Sequence, residues 1–467
     1  MSLPSIAFEK DVVVLLFKTG RAFNVYGNRM KATSKNKSVK LNGTSQIYIK
    51  NNKIIIAGHS FSKGVKISSN SPITVNNKKY HGYLLLDRQA GEIIVRNVVN
   101  SEKYLESVVR SEMSPSWPVE ALKAQAVLAR TYITSSDKHG SLCDVCATTH
   151  CQVYNGIVNS SENLRTAIRQ TRGQILRYNR LPANVFYHSD SGGVVTSSEN
   201  VWGRSVPYLK TVFEPVKSVN PNCYWKVVIN KTELQSKLIA NGINVGRLMY
   251  LKPVKRDNSG RVKEIMIQGS SSAATISGNK LRTIVGPVVL KSTLFDFSDF
   301  SQVSYELNKK NPEPETEFKQ DEAKKLTDIQ TTESGITQDT LVDMAKQGYF
   351  TTEELMYMLS TPDKSSEHAR FAALRKKYGK KYRRKNMFPE VNRDCTSVKH
   401  KGNYKITDVN SFSMEASEIN SDKVVFHGLG YGHGVGMSQW GARSLAENGW
   451  TYREILNLYF KGTAITE

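Results

Sequence analysis

EKYLESVVRSEMSPSWPVEALKAQAVLARTYIT, residues 102–134, decides how the rest of the chain reads. Leu105, Val108, Val109 and Glu112 recur at i, i+3, i+4 and i+7, the stripe of an amphipathic helix, and Glu102, Glu106 and Arg110 take the opposite side. Ser114, Pro115 and Pro118 interrupt this pattern. A second helix then runs to about Thr134, with Val119, Leu122, Ala126, Ala129 and Ile133 as its buried stripe. Glu112 stands out because it continues an apolar stripe, where a carboxylate would lose water. Desolvation and a position at a helix C-terminus both raise a carboxyl pKa. A glutamate so placed can stay protonated near neutral pH and donate a proton to a leaving oxygen. The competing reading is a structural glutamate satisfied by an arginine or by backbone N–H groups.

Upstream, apolar and polar positions alternate between turn signals at 12–17, 47–49, 54–57 and 83–86, which predicts a small all-β unit over residues 1–90. Downstream, strand patterns return at 173–178, 183–188 and 261–268, with a helix over 232–241. The character changes between 304 and 404. NPEPETE at 311–317 is a linker composition, and short helices are expected at 340–348 and 351–359, the latter opened by a capping box of Thr351 and Glu354. Arg375, Lys376, Lys377, Lys380, Lys381, Arg383, Arg384 and Lys385 follow as a basic cluster. The expected class is α+β. A β-rich framework would carry a helical catalytic segment within 91–303, completed by 405–467, with the N-terminal β unit and an inserted helical subdomain added.

The length of 467 residues exceeds what one hydrophobic core usually serves. With 39% hydrophobic and 23% charged residues, the composition argues against both global disorder and a membrane bundle. No stretch is long enough to span a bilayer, and the apolar run 12–17 is too short for a signal-peptide core, so no export signal is visible. A formal charge of +23 favours an anionic partner: nucleic acid, acidic lipid or anionic glycan. The basic cluster reads more simply as a solvated face, and nucleic acid is not the expected native partner.

His139, Cys143, Cys146, His150 and Cys151 place metal-ligand types within one short segment. The Cys143-x-x-Cys146 pair suits tetrahedral zinc, and Cys151 with one histidine would complete a site. Disulfides remain the alternative, as does the choice between a structural and a catalytic ion. Residues 187–193, YHSDSGG, form a polar, small-residue loop in which no G-x-S-x-G elbow surrounds Ser189 or Ser191, so a serine hydrolase is not expected. Gly428, Gly430, Gly432, Gly434 and Gly436 alternate with larger residues and predict a strand with one bare face that another backbone or a flat ligand could approach. The spacing fails the G-x-G-x-x-G test for a nucleotide loop. Thr451 and Glu454 then form a capping box for a last helix whose apolar side is Ile455, Leu458 and Tyr459.

Read together, YLESVVRSEM (104–113), WPVEALKAQAVLARTY (117–132), THCQVY (149–154), the 187–193 loop and GYGHGVGMSQ (430–439) resemble the family of the stage II sporulation protein D and the amidase enhancer, over roughly 80–300 and 424–467. The resemblance implies a lytic transglycosylase. Such an enzyme cleaves peptidoglycan glycan strands already stripped of stem peptides and leaves 1,6-anhydro-N-acetylmuramic acid ends, with Glu112 as the catalytic carboxyl. It also implies a cell-envelope location and zinc near the THC segment, held by Cys146, Cys151 and a nearby histidine or Cys143, with His139 the first candidate and the choice between His139 and His150 open. Tyr187, Ser189, Ser191, His433 and Gln439 become candidates for positioning sugars. Ordinary glycosidases need two carboxylates, and only one convincing carboxylate is legible. The rival function is a non-catalytic peptidoglycan-binding enhancer of a separate amidase.

Overall fold

The computed structural model describes residues 10–62, 64–216, 218–297 and 422–466. The expected inserted subdomain, with its basic cluster, lies outside the described residues.

Period-two alternation does build the N-terminal region. A seven-stranded sheet runs in the order Val145–Cys146, Asp11–Thr19, Glu92–Asn100, Tyr83–Gln89, Val65–Ser68, Met30–Ser34, Lys37–Leu41. A six-stranded sheet orders Lys78–Tyr80, Ile73–Val75, Phe23–Tyr26, Thr44–Lys50, Lys53–Ile56 and His59–Phe61. The inward residues Val25, Ile47, Ile56, Ile67, Leu84 and Leu86 belong to one hydrophobic cluster. The strand Glu92–Asn100 passes directly into helix α1 (Ser101–Glu112). The divide read near residue 90 therefore falls between two hydrogen-bonded strands.

Asn100 caps α1, its side chain accepting from the Glu102 N–H, and Met113 leaves the helix in an extended conformation. Helix α2 (Val119–Ser135) buries almost its whole circumference, from Ala121 to Ile133. The two helices are clamped by an ion pair that the amphipathic pattern hid. Glu102, read as outward-facing, receives both Nε and Nη2 of the buried Arg130, while Arg130 Nη1 donates to the Gln174 carbonyl at 3.0 Å.

A second core forms around the helices Lys231–Ala240 and Gly278–Val285 and the antiparallel strands Leu248–Arg256, Val262–Gly269 and Ala273–Ser277. The chain returns to it in its C-terminal part, as Lys423–Leu429 pairs along the full length of Tyr224–Asn230. Residues 430–466 are thereby delivered to the first core, where the helices Gln439–Glu447 and Tyr452–Tyr459 pack on α2. The capping box of Thr451 and Glu454 is present. Helices and largely antiparallel sheets coexist, the α+β class. No helix among the described residues is long and apolar enough to cross a membrane.

Candidate active site

Glu112 is the last residue of α1, half-buried, with Pro115 preventing a further turn. Burial pushes its carboxyl pKa upward. Three donors oppose that rise without cancelling it: the Val153 N–H, 3.1 Å from Oε1; Gln439 Nε2, 3.4 Å from Oε2; and the Tyr187 hydroxyl. The group thus holds its proton more tightly than an exposed glutamate and keeps a defined orientation.

Its neighbours form a buried chain. Tyr104 donates to Gln152 Oε1 at 3.0 Å, and Gln152 Nε2 donates to the Tyr187 hydroxyl oxygen at 3.2 Å. That bond occupies the Tyr187 oxygen as an acceptor and leaves its proton to point at Glu112. Gln152 and Val153, which the residue reading did not single out, are therefore what holds the Glu112 surroundings in place. The available signal was their position inside THCQVY, directly after Cys151.

The segment that carries them also carries a cluster of soft ligands. Donor atoms of His139, Cys146, His150 and Cys151 all lie within 4.8 Å of one another. His139 Nε2 is 3.1 Å from Cys151 Sγ, and His150 Nδ1 is 3.6 Å from Cys146 Sγ and 3.5 Å from Cys151 Sγ. Tetrahedral zinc with bonds of about 2.0–2.3 Å requires ligand-to-ligand separations of about 3.3–3.8 Å, and the cluster falls close to that range. Burial pushes the Cys146 thiol up, but hydrogen bonds from Thr148, Cys151 and His150 outweigh it and bring the pKa down to about 6, which favours thiolate. Of the expected ligands, Cys143 is not in the cluster. It is buried beside the Asp11–Thr19 strand, its thiol raised to about 11 by burial, and His150 stands in its place. Spacing alone suggested the Cys143/Cys146 pair. The strand Val145–Cys146 decides otherwise, because its parallel pairing with Val14 and Leu15 fixes which way each neighbouring side chain points.

The glycine run is not a strand beyond Leu429. Gly430, Gly432, Gly434 and Gly436 all adopt positive φ, which ends regular pairing and leaves isolated bridges of Tyr431 to Asp190 and Val435 to Thr196. The close approach read from the sequence is real, and its partners are the protein's own groups. A Cβ at Gly434 would lie 2.6 Å from Arg261 Nε, and one at Gly432 would lie 2.6 Å from the His188 side chain. His188, buried and donating Nδ1–H to the Val435 carbonyl at 3.1 Å, is held neutral first by burial and then by its neighbours His433 and the cationic Arg261. His433 is lowered to about 4 by burial and then by Arg282 and Arg261, and its ring lies among Phe186, His188 and the half-exposed Trp202.

Of the sugar-positioning candidates, Tyr187 and Gln439 meet at Glu112, and His433 joins the aromatic group beside them. Ser189 accepts the Trp440 N–H at its carbonyl, 3.0 Å away. Ser191 is fully buried: its N–H donates to Ser438 Oγ, its hydroxyl accepts from Gly193, and its carbonyl accepts from Arg261. A buried serine committed to these partners braces the loop and, in this arrangement, presents no free hydroxyl at the surface. Around it lies a network that no motif announced. Asp190 accepts from Gly192, Ser218 and Asn220; Tyr459 donates to Glu214 at 2.7 Å; Arg261 Nη2 bonds the Ser191 and Val194 carbonyls. Burial and then the nearby Asp190 charge lift Glu214 to about 7.

The chain is similar to several known proteins. Residues 89–178 match the SpoIID family, described as stage II sporulation protein. An uncharacterized protein of Brachyspira hyodysenteriae is 30% identical over 240 residues, which covers 50% of this chain and 63% of that protein. The amidase enhancer of Bacillus subtilis is 27% identical over 380 residues, 78% of this chain and 40% of the enhancer. Stage II sporulation protein D of Bacillus subtilis is 26% identical over 258 residues, 51% of this chain and 69% of that protein. The match thus spans under two thirds of the first two of these relatives.

Proposed function

From the premise that residues 89–178 are a SpoIID-family domain, we propose that this chain is a lytic transglycosylase of the bacterial cell envelope, acting outside the cytoplasm on peptidoglycan strands freed of stem peptides. The observation that carries this reading is Glu112: one carboxyl, reachable from solvent, with raised proton affinity and an orientation fixed by Val153, Gln439 and Tyr187.

One such group suffices for the reaction. Protonated Glu112 gives its proton to the oxygen that leaves as the muramic acid C1–O bond breaks. The resulting carboxylate then takes the proton of the same sugar's C6 hydroxyl while that oxygen bonds to C1. A 1,6-anhydro ring forms, no water is consumed and Glu112 ends protonated. The raised pKa suits the first step, and the hydrogen bonds to the carboxylate suit the second. Asp190 and Glu214, the other carboxyls of this region, are engaged in the buried network and are assigned no chemical role.

His139, Cys146, His150 and Cys151 would hold a zinc ion. Four protein donors close a tetrahedral site, which favours a structural ion over a catalytic one. Its contribution would be to fix Cys151 and hence Gln152 and Val153, the residues next in sequence that orient Tyr187 and Glu112.

The test compares wild type with Glu112→Gln on denuded glycan, with products read by mass spectrometry. Losing a general acid is expected to reduce anhydro ends by about a thousandfold. Equal yields would overturn the mechanism. The similarity to the amidase enhancer over 78% of this chain favours one second reading, a scaffold that stimulates a wall amidase. In that case Glu112→Gln would stimulate an added amidase as well as wild type does, and neither protein would cut glycan alone.

A further inference from the structure

Between Asp11 and Asp87 the chain contains thirteen lysines and arginines and not one aspartate or glutamate. Much of this charge is scattered, but three lysines meet on the solvent face of the seven-stranded sheet. Lys31 on the strand Met30–Ser34 stands directly opposite Lys40 on Lys37–Leu41. Two positions along, on the same face, Thr33 stands opposite Ser38 on one side and Lys66 on the other. All three lysines are exposed, and none has an ion-pair partner among the described residues.

Like charges directly opposite on antiparallel strands destabilise a sheet. Here the adjoining strand Val65–Ser68 has no acid to relieve the repulsion between Lys31 and Lys40, and Asp87, one strand further on, is engaged by Arg96 and the Gly64 N–H. Lys66 lies 3.8 Å from the centre of the Tyr83 ring, so that aromatic face is already covered. The remaining groups on the patch are hydroxyls: Thr33, Ser38 and Ser68.

We propose that this face binds a linear polyol-phosphate polymer, its phosphodiesters seated between Lys31, Lys40 and Lys66 and its hydroxyls on Thr33, Ser38 and Ser68. Phosphates repeating along a flexible chain neutralise cations on adjacent strands without requiring a preformed pocket. Sequence-tolerant single-strand nucleic-acid binding uses free aromatic faces for base stacking, and the patch offers none. Membrane-surface segments insert exposed apolar side chains, and here the residues between the lysines are polar. The choice of a polyol phosphate among anionic polymers rests on the cell-wall function proposed above; the cationic face itself does not.

The experiment uses the full chain and a Lys31→Gln, Lys40→Gln, Lys66→Gln variant, titrated with poly(glycerol phosphate), with single-stranded DNA of equal charge and with anionic phospholipid vesicles. Wild type is expected to bind poly(glycerol phosphate) with an affinity that falls as salt rises. The variant should bind at least tenfold more weakly and lose about two to three contacts from the salt slope. In the absence of polymer and at low salt, Lys31→Gln alone should raise Tm by about one or two degrees, because it removes the repulsion. Equal binding by variant and wild type overturns the proposal. Tighter binding of DNA or vesicles, lost in the variant, would keep the cationic face but overturn the polymer assigned to it. Glycan cleavage by the triple variant should equal that of wild type, so failure here and failure of the Glu112 mechanism are read on separate assays.

Discussion

The N-terminal sheets and the region around Glu112 share one hydrophobic core but are built by opposite rules. In the sheets, buried positions are almost all apolar; among the described residues, Ser45 and Asn97 are the buried polar ones before Ser101. Beyond that point the interior takes in Arg130, Gln125, Gln152, His188, Asp190, Ser191, Arg261 and Ser438. Burying a polar or charged group costs free energy unless it is bonded, so the second region is dense with long-range hydrogen bonds. The contrast teaches that the sheets are a stable platform, while the cost of burying polar groups is borne where α1, the 146–153 segment and the glycine loop converge.

The sharpest break of this comparison sets Leu84→Ala in the sheets against Glu102→Ala in the helices. Each is expected to lose about 3–5 kcal/mol in denaturant unfolding, the first through a cavity and the second by stranding the buried Arg130 charge. They should differ in what survives. Leu84→Ala should keep its activity per folded molecule, whereas Glu102→Ala shifts α1 against α2 and should lower it. Equal retention of activity would show that the ion pair serves stability alone.

Glu214 sharpens the comparison through pH. Its carboxyl is raised in the folded state to about 7 from an ordinary 4.5, so its contribution is fully present at acidic pH and lost as pH rises through about 7. Unfolding free energy should decline across that window by up to about 3 kcal/mol, and Glu214→Gln should flatten the decline. An unchanged slope in the variant would assign the effect elsewhere.

Smaller effects are expected at the soft-ligand cluster. Cys146→Ser with Cys151→Ser should abolish stoichiometric zinc and, by loosening Gln152 and Val153, reduce glycan cleavage by about ten- to a hundredfold. Unchanged zinc content would refute the site. Smallest of all, Tyr187→Phe removes a hydrogen bond that lowers the Glu112 pKa, so the alkaline limb of kcat/KM should move upward by less than about one pH unit. A downward shift would contradict the bond.

How much was legible follows from the same contrast. Alternation and helical period are local, and they located the N-terminal strands, α1, α2, the helix Lys231–Ala240 and the capping box at Thr451. Glu112 was legible because a carboxylate in an apolar stripe is anomalous on its own. The glycine run was read as a strand because period two is also what four positive-φ glycines produce when each admits a different neighbour. The burial of Ser191 was not legible, because nothing local marks a serine as the acceptor and donor of a buried network.

The sequence by itself determined the class of the fold, the carboxyl with anomalous proton affinity and the segment that could take a metal, because each is a pattern within a few turns of chain. Only tertiary structure decided that His150 and not Cys143 joins the soft ligands, that Gln152 and Val153 hold Glu112, and that Lys31 faces Lys40 without a counter-charge. Those facts depend on strand pairing and side-chain direction between residues distant in sequence, and hydrogen bonds and Coulomb forces act on distance in space.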